Sequence, residues 1–370
     1  MCAQNILFAT RDGHIGHVYA ARLPRRGALP EDSPILSPAQ AEADWAQHWH
    51  SGSLPLTLDP DCGYRVSAND RPQFADAPLG FFFSEGDRAA RLAALAAREN
   101  LSLEDLAALQ VDTHVPGAAR LAQALAQRLE TVGADPRMAR QLRDWDGDYA
   151  ARASGPVAFE LLLHELANGL APQRAAQAGL GLDDEWGRHT RLLLPDLDAL
   201  PTAARQALLR KAAARALAAQ SRYPSWGDMH RLRIGHLLSQ VPMLGRTLQV
   251  ADWPAGGSRE SPMKNSHGLV GGRHAVQYGA QARHLSDLSD LDANHFVLLG
   301  GNDGWIGSEH YADQLALWRE QRYVRMPLRP ETVAKEFPFV LELRPATAEP
   351  AAPPASELAP AGSHSPPHPV

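Results

Sequence analysis

The rhythm of hydrophobic and polar positions changes twice along this chain. Near the start, "NILFAT" and "IGHVYA" place Ile6, Phe8, Ile15 and Val18 in two short extended runs on either side of "RDGH". Such runs flanking the Asp12-Gly13 pair predict a β-hairpin. From Arg22 to about Pro72 the text is loop-like. Pro24, Pro30, Pro34 and Pro38 allow only a short helix around "AQAEADWAQHW", and "YRVSAND" predicts a strand ending in a polar turn. From Gly86 to about Leu238 the pattern is helical and rich in Ala, Leu and Arg, with stops expected at Gly117, Gly133, Gly147 and Gly155 and punctuation at Pro195 and Pro201. Ser102, followed three residues on by Asp105, marks one helix start. From about Thr247 the stretches "TLQVADW", "HAVQYGAQARHL", "HFVLLGG" and "FPFVLEL" predict strands again.

Strands over 4–72, helices over 86–238 and returning strands over 247–342 make an α+β order within one body, 1–345. Residues 346–370 form a Pro/Ala-rich tail with little to bury and are expected to be disordered. Leu299 to Trp318, "LGGNDGWIGSEHYADQLALW", predicts a strand-turn-helix, with Ser308 as N-cap of a helix opened by Glu309 and with Tyr311, Leu315 and Trp318 on one face.

Composition narrows the function classes. A chain of 370 residues, 44% hydrophobic and 21% charged, has enough apolar material for a sizeable core. Its net charge of −6 carries no electrostatic footprint for nucleic acid, and no stretch has the apolar length of a membrane helix. Neither nucleic acid nor membrane is expected as a partner. The start has no signal peptide, yet a strand within the first few residues suggests that further sequence precedes it. Cys2 and Cys62 are too few for a disulfide framework or a thiolate metal site.

The sixteen histidines lack ligand spacing: His230 and His236 are six apart, and "HELAN" from His164 has no second His. "GLVGGRH" and "GPVAFE" carry no phosphate-binding fingerprint, and no GxSxG elbow occurs. "DWDGDY" lacks the alternating ligands of a calcium loop and predicts a helix end with Trp145 packed and Gly147 turning the chain. "LPTAARQALLRKAAARALAAQSR" predicts an outer helix, Leu inward and Arg solvated.

An ordered set of stretches carries more information than any one of them. "QNILFATRDGHIGHVYAARLPRR", "YRVSANDRP", "GDRAARLAAL", "LEDLAALQVD", "LRDWDGD", "WGDMHRLRIGHLL", "YGAQARHLSDLSDLD" and the Gly-rich turn follow one another between residue 4 and about 342. The series resembles the C-terminal portion of the β chain of the penicillin acylase family. That resemblance implies part of a four-layer αββα fold of the N-terminal-nucleophile kind, with a large helical middle section. It implies a hydrolase of linear carbon-nitrogen bonds, an amidase working through an acyl-enzyme, as in antibiotic biosynthesis, on penicillin-like amides, acyl-homoserine lactones or other N-acyl compounds.

In that family the nucleophile is a Ser exposed by self-cleavage at the start of the β chain, well upstream of the stretch matched. The implied partners are therefore the missing upstream acylase segments, namely the α chain and the N-terminal part of the β chain, and a small N-acyl amide substrate. Two positions carry over. Asn69 of "SANDRP" matches the Asn whose side-chain amide donates to the oxyanion. Arg88 of "GDRAAR" matches an Arg that orients this machinery, at a shorter spacing from the Asn than in the family, with Arg91 as the alternative. A structural calcium belongs to some full-length members; only Asp76 offers itself as a ligand, and no cofactor is expected for this chain. Family members are periplasmic or secreted. Two other readings stand beside the amidase: an inactive remnant or interaction module of the same fold, and Cys2 as an N-terminal nucleophile after loss of Met1.

Overall fold

A computed structural model describes residues 4–25, 36–54, 56–71, 83–84, 86–177, 185–241, 243, 245 and 248–343, without the side chains of 172–190 and 240. Cys2, Asp76 and the 346–370 tail, each the subject of an expectation above, lie outside the described residues. The chain forms two units, Met1–Pro327 and Leu328–Val370.

The first unit opens with the hairpin that the pattern predicts. Strands β1 (Gln4–Ala9) and β2 (Ile15–Ala20) pair antiparallel, with Phe8 opposite Gly16, and β5 (Leu56–Leu58) extends the sheet on β2. The turn closes through Thr10 and His14, and Gly13 supplies φ +91°. Helix α1 (Pro38–Ala46) starts at a Ser37/Gln40 capping box, and β4 (His48–His50) then pairs with β3 (Arg22–Pro24). Tyr64 to Ser67 form no strand, against expectation. They lead instead into the turn at Asn69 described below.

Helices build the main core. α2 (Asp87–Ala96) and α3 (Leu103–Gln110) come first, and α3 carries the Ser102/Asp105 capping box. α4 (Pro116–Thr131) turns Ala118, Leu121, Ala122, Leu125, Ala126 and Leu129 inward, an apolar stripe at helical spacing. It packs on α5 (Pro136–Asp144), while α6 (Gly155–Gln177), apolar on nearly every side from Val157 to Leu166, packs on α8 (Thr202–Gln220). α7 (Glu185–Ala199) contributes Leu193 and Leu197. Trp145, Tyr149, Phe159 and Trp226 fill the centre. As expected, Trp145 is packed at the end of α5, Gly147 turns the chain at φ +92°, and α8 faces Leu209 and three alanines inward. Gly117 and Gly155 sit in the first turns of helices, where they do not act as stops; the adjacent Pro116 and Pro156 fit those positions because a first-turn N–H has no helical acceptor to lose.

The helical run ends earlier than its composition suggests. α9 (Trp226–Met229) gives way at once to β6 (His230–Gly235), because His230, Leu232 and Ile234 alternate inward with period two. β6 pairs antiparallel with β7 (Gln249–Pro254) and parallel with β9 (His274–Ala275). β8 (Asn265–Ser266) pairs with β10 (Tyr278–Gly279). β11 (Ala282–Ser286), β12 (Asn294–Leu298) and β13 (Val324–Arg325) form the last sheet of the unit.

After β12, α10 begins at Leu315, not Glu309 (Leu315–Arg319). Gln314 explains the shift: its side chain accepts from Leu298 N at 2.9 Å and its backbone N–H donates to Gly300 O at 3.0 Å, so the turn is fastened to β12 before helix begins. The Gly-rich stretch is a turn joining β12 to α10. In the second unit α11 (Pro330–Glu336) is followed by Phe337 to Leu343, which form no strand. Phe339 and Val340 are almost fully exposed, and among the described residues no strand lies beside them to receive ladder hydrogen bonds.

Candidate functional site

Asn69 adopts φ +62°, the left-handed region that Asn tolerates better than other residues with a Cβ. The turn is tied down locally. Asp70 Oδ1 accepts from Ala68 N at 2.9 Å, and Asn69 O accepts from Ser84 N at 2.8 Å. Arg88, in the first turn of α2 and 8% exposed, inserts beneath it. One guanidinium nitrogen, Nη2, donates to Ala68 O, to Asn69 Oδ1 at 3.1 Å and to Ser84 Oγ at 3.1 Å.

That contact settles which way the amide faces. Guanidinium nitrogens only donate, so the Asn69 oxygen must face Arg88 and the NH2 group must face the other way. Asn69 is exposed, and its Nδ2 meets no acceptor among the described residues. A rigidly held, outward amide donor can bind an oxygen that gains negative charge. Burial draws Arg88 down from the usual guanidinium value, opposed by the charges of Glu260, Asp70 and Tyr278.

Of the two arginines weighed from sequence, the structure brings only Arg88 to Asn69. Arg91 points elsewhere and grips Asp112 with Nε to Oδ1 at 3.0 Å and Nη2 to Oδ2 at 2.6 Å. The stretch "SRESPMKNS" escaped notice because its polarity resembles a surface loop. It is folded inward: Ser258, Glu260, Ser261 and Asn265 are buried. Glu260 and Lys264 lie close enough to Arg88 to act on its surroundings, and desolvation, followed by the Arg88 charge, brings the Lys264 ammonium down to about 8.

A second polar group was also missed. His230, His267 and His274 come together from β6, the loop after β8 and β9, against Trp226, which stacks on His230 at 4.7 Å. His267 Nδ1 faces Gly268 O and His274 Nδ1 faces Gly272 O, so both carry their proton there. His267 Nε2 then accepts from Ser258 Oγ at 3.0 Å, and His274 Nε2 accepts from His230 Nδ1 at 3.0 Å. Among the described residues no three His, Cys, Asp or Glu side chains are placed to hold a metal ion. His230 and His236 belong to β6 and the residue after it, not to one helix.

Comparison with known proteins adds four findings. The penicillin amidase family pattern matches residues 1–335. The chain is 29% identical to the penicillin acylase 2 proenzyme of Pseudomonas sp. (strain SE83) over 92% of its own length and 46% of that protein. It is 25% identical to the acyl-homoserine lactone acylase QuiP of Pseudomonas putida over 90% of its length and 45% of that protein. The chain thus spans less than half the length of these relatives. A thermostable penicillin G acylase from Alcaligenes faecalis shares the fold with a TM-score of 0.55, at 18% identity over 94% of this chain and 68% of that one.

Proposed function

Since this chain belongs to the penicillin amidase family, we propose that it forms part of an amide hydrolase and supplies the group that stabilises the tetrahedral oxyanion. Asn69 is that donor and Arg88 its positioning residue. The observation that carries this reading is the 3.1 Å hydrogen bond from Arg88 to Asn69 Oδ1, which turns the amide N–H bonds outward. When a nucleophile attacks a substrate carbonyl, its oxygen gains charge and draws closer to a fixed donor, so the hydrogen bond strengthens at the transition state.

The attacking hydroxyl, by the resemblance, comes from an upstream segment that pairs with this chain, as does much of the acyl pocket. The small sheets of the first unit would then complete the central sheets of a four-layer fold. Substrates of the class are linear N-acyl compounds, in keeping with the names of the two relatives, and a periplasmic or secreted site of action follows the same resemblance.

The test uses the chain joined to the upstream segments of a relative, with active sites titrated. Asn69→Ala and Asn69→Gly should each lower kcat by about 10²–10³ with a smaller effect on KM. The pair separates chemistry from folding. Gly accepts the φ of +62° without strain, so Asn69→Gly keeps the turn and removes only the amide. A near-parental kcat in Asn69→Gly would remove the catalytic role.

A further inference from the structure

A cavity of about 250 Å3 lies between α2, α3, the 262–265 loop, the start of β11 and α10. Leu92, Leu109, Met263 and Trp318 give it apolar walls, and Lys264 and Arg283 bring two positive charges to it. At about 30 Å3 for each water's share of liquid, the space corresponds to roughly eight waters, enough for a small organic molecule.

Arg283 is the unusual member. It is 4% exposed, yet no carboxylate among the described residues pairs with it. Its guanidinium donates to a single acceptor, Trp318 O at 2.8 Å, and stacks over the Trp318 ring at 4.0 Å. Desolvation draws it down from its ordinary value, and the only charge acting the other way is that of the Tyr323 phenol. Buried charges are normally paired, because removal of an ion from water costs several kcal/mol that only a partner offsets.

Two further donors lack acceptors among the described residues. The Lys264 ammonium makes no hydrogen bond among the described residues and lies 5.4 Å from the Tyr278 ring; the Glu260 charge favours its protonated form, opposed by those of Arg88 and Arg259. The buried indole Nε1 of Trp318 has no partner either. Apolar walls with convergent, unsatisfied cationic donors match one ligand chemistry, a carboxylate on a compact apolar body: the carboxylate takes a guanidinium in paired hydrogen bonds and the body covers the walls.

We infer that this cavity is a binding site for a small apolar carboxylate, held by Arg283 and Lys264. The site is independent of the role given to Asn69, because it requires no turnover.

The experiment follows the Trp318 indole N–H resonance of the full chain, assigned by Trp318→Phe, during titration with benzoate, benzamide and inorganic phosphate. Saturable benzoate binding that shifts this resonance is expected, with benzamide and phosphate at least tenfold weaker. Lys264→Met should weaken benzoate tenfold, and Arg283→Gln should abolish binding. Where Arg283→Gln fails to fold, Lys264→Met decides, since Lys264 is only half-buried. No benzoate binding, equal binding of benzamide or phosphate, or parental affinity in Lys264→Met would each overturn the inference.

Discussion

Acid should unfold this protein through its histidines before its carboxylates titrate. Burial brings His267 and His274 down to about 4, from 6.5 in an exposed chain. For His267 the Arg259 charge adds to the shift and the Gly268 carbonyl opposes it; for His274 the charge of His267 adds, and Gly272 O and Glu160 oppose. Burial, then the charges of His267 and His274, moves His230 in the same direction. The folded state therefore binds protons less readily than the unfolded chain. Above pH 6.5 both states are neutral at these sites and the network is intact. As pH falls from 6.5 toward 4 the unfolded state takes up protons first, and stability is lost.

Each unit of pKa difference is worth 1.36 kcal/mol, so at pH 5 each of the two rings costs about 2 kcal/mol, roughly 4 together. That is a large share of the 5–15 kcal/mol that stabilises an ordinary domain. Asp135, held near 2 by Arg137, loses its contribution only at lower pH. Urea unfolding followed by tryptophan fluorescence at pH 7.5, 6.5, 5.5 and 5.0 measures the slope. His274→Gln, which keeps an acceptor for His230, should make the slope shallower by up to one proton, about 1.4 kcal/mol per pH unit. A stability independent of pH between 7 and 5, or an unchanged slope in His274→Gln, would refute the reasoning.

Other expectations are simpler to test. On the reading proposed above, in which the attacking hydroxyl comes from an upstream segment, the 370-residue chain alone, assayed with phenylacetyl, fatty-acyl and homoserine-lactone amides, should show no turnover above buffer; activity abolished by Cys2→Ala would instead make Cys2 the nucleophile. Gly147→Ala should cost more than about 1 kcal/mol in a urea melt, since φ is +92° and the new Cβ would lie 2.6 Å from Val115 O. An unchanged midpoint would show that the turn can relax.

Much of the local structure was legible because short-range physics decides it. The Asp12-Gly13 hairpin, the Ser102/Asp105 cap and the Trp145-Gly147 helix end each depend on residues within a few positions of one another. The misread elements failed for the opposite reason. "FPFVLEL" has the residues of a strand but no strand paired with it among the described residues, and the helix expected at Glu309 gave way to Gln314, whose partners lie 14 and 16 residues back.

The site divides along the same line. Order and spacing of motifs along the chain pointed to the family and to Asn69 and Arg88, since a family's turns recur in sequence. Only the tertiary structure shows that Arg88 and not Arg91 meets Asn69, while Arg91 meets Asp112. Only it gathered His230, His267 and His274, or set Lys264 beside Arg283 at one cavity. Sequence by itself determined what depends on neighbouring residues and on motif order. Folding decided which charges lost their water and which partners they met, because desolvation and Coulomb forces depend on distance through space and not along the chain.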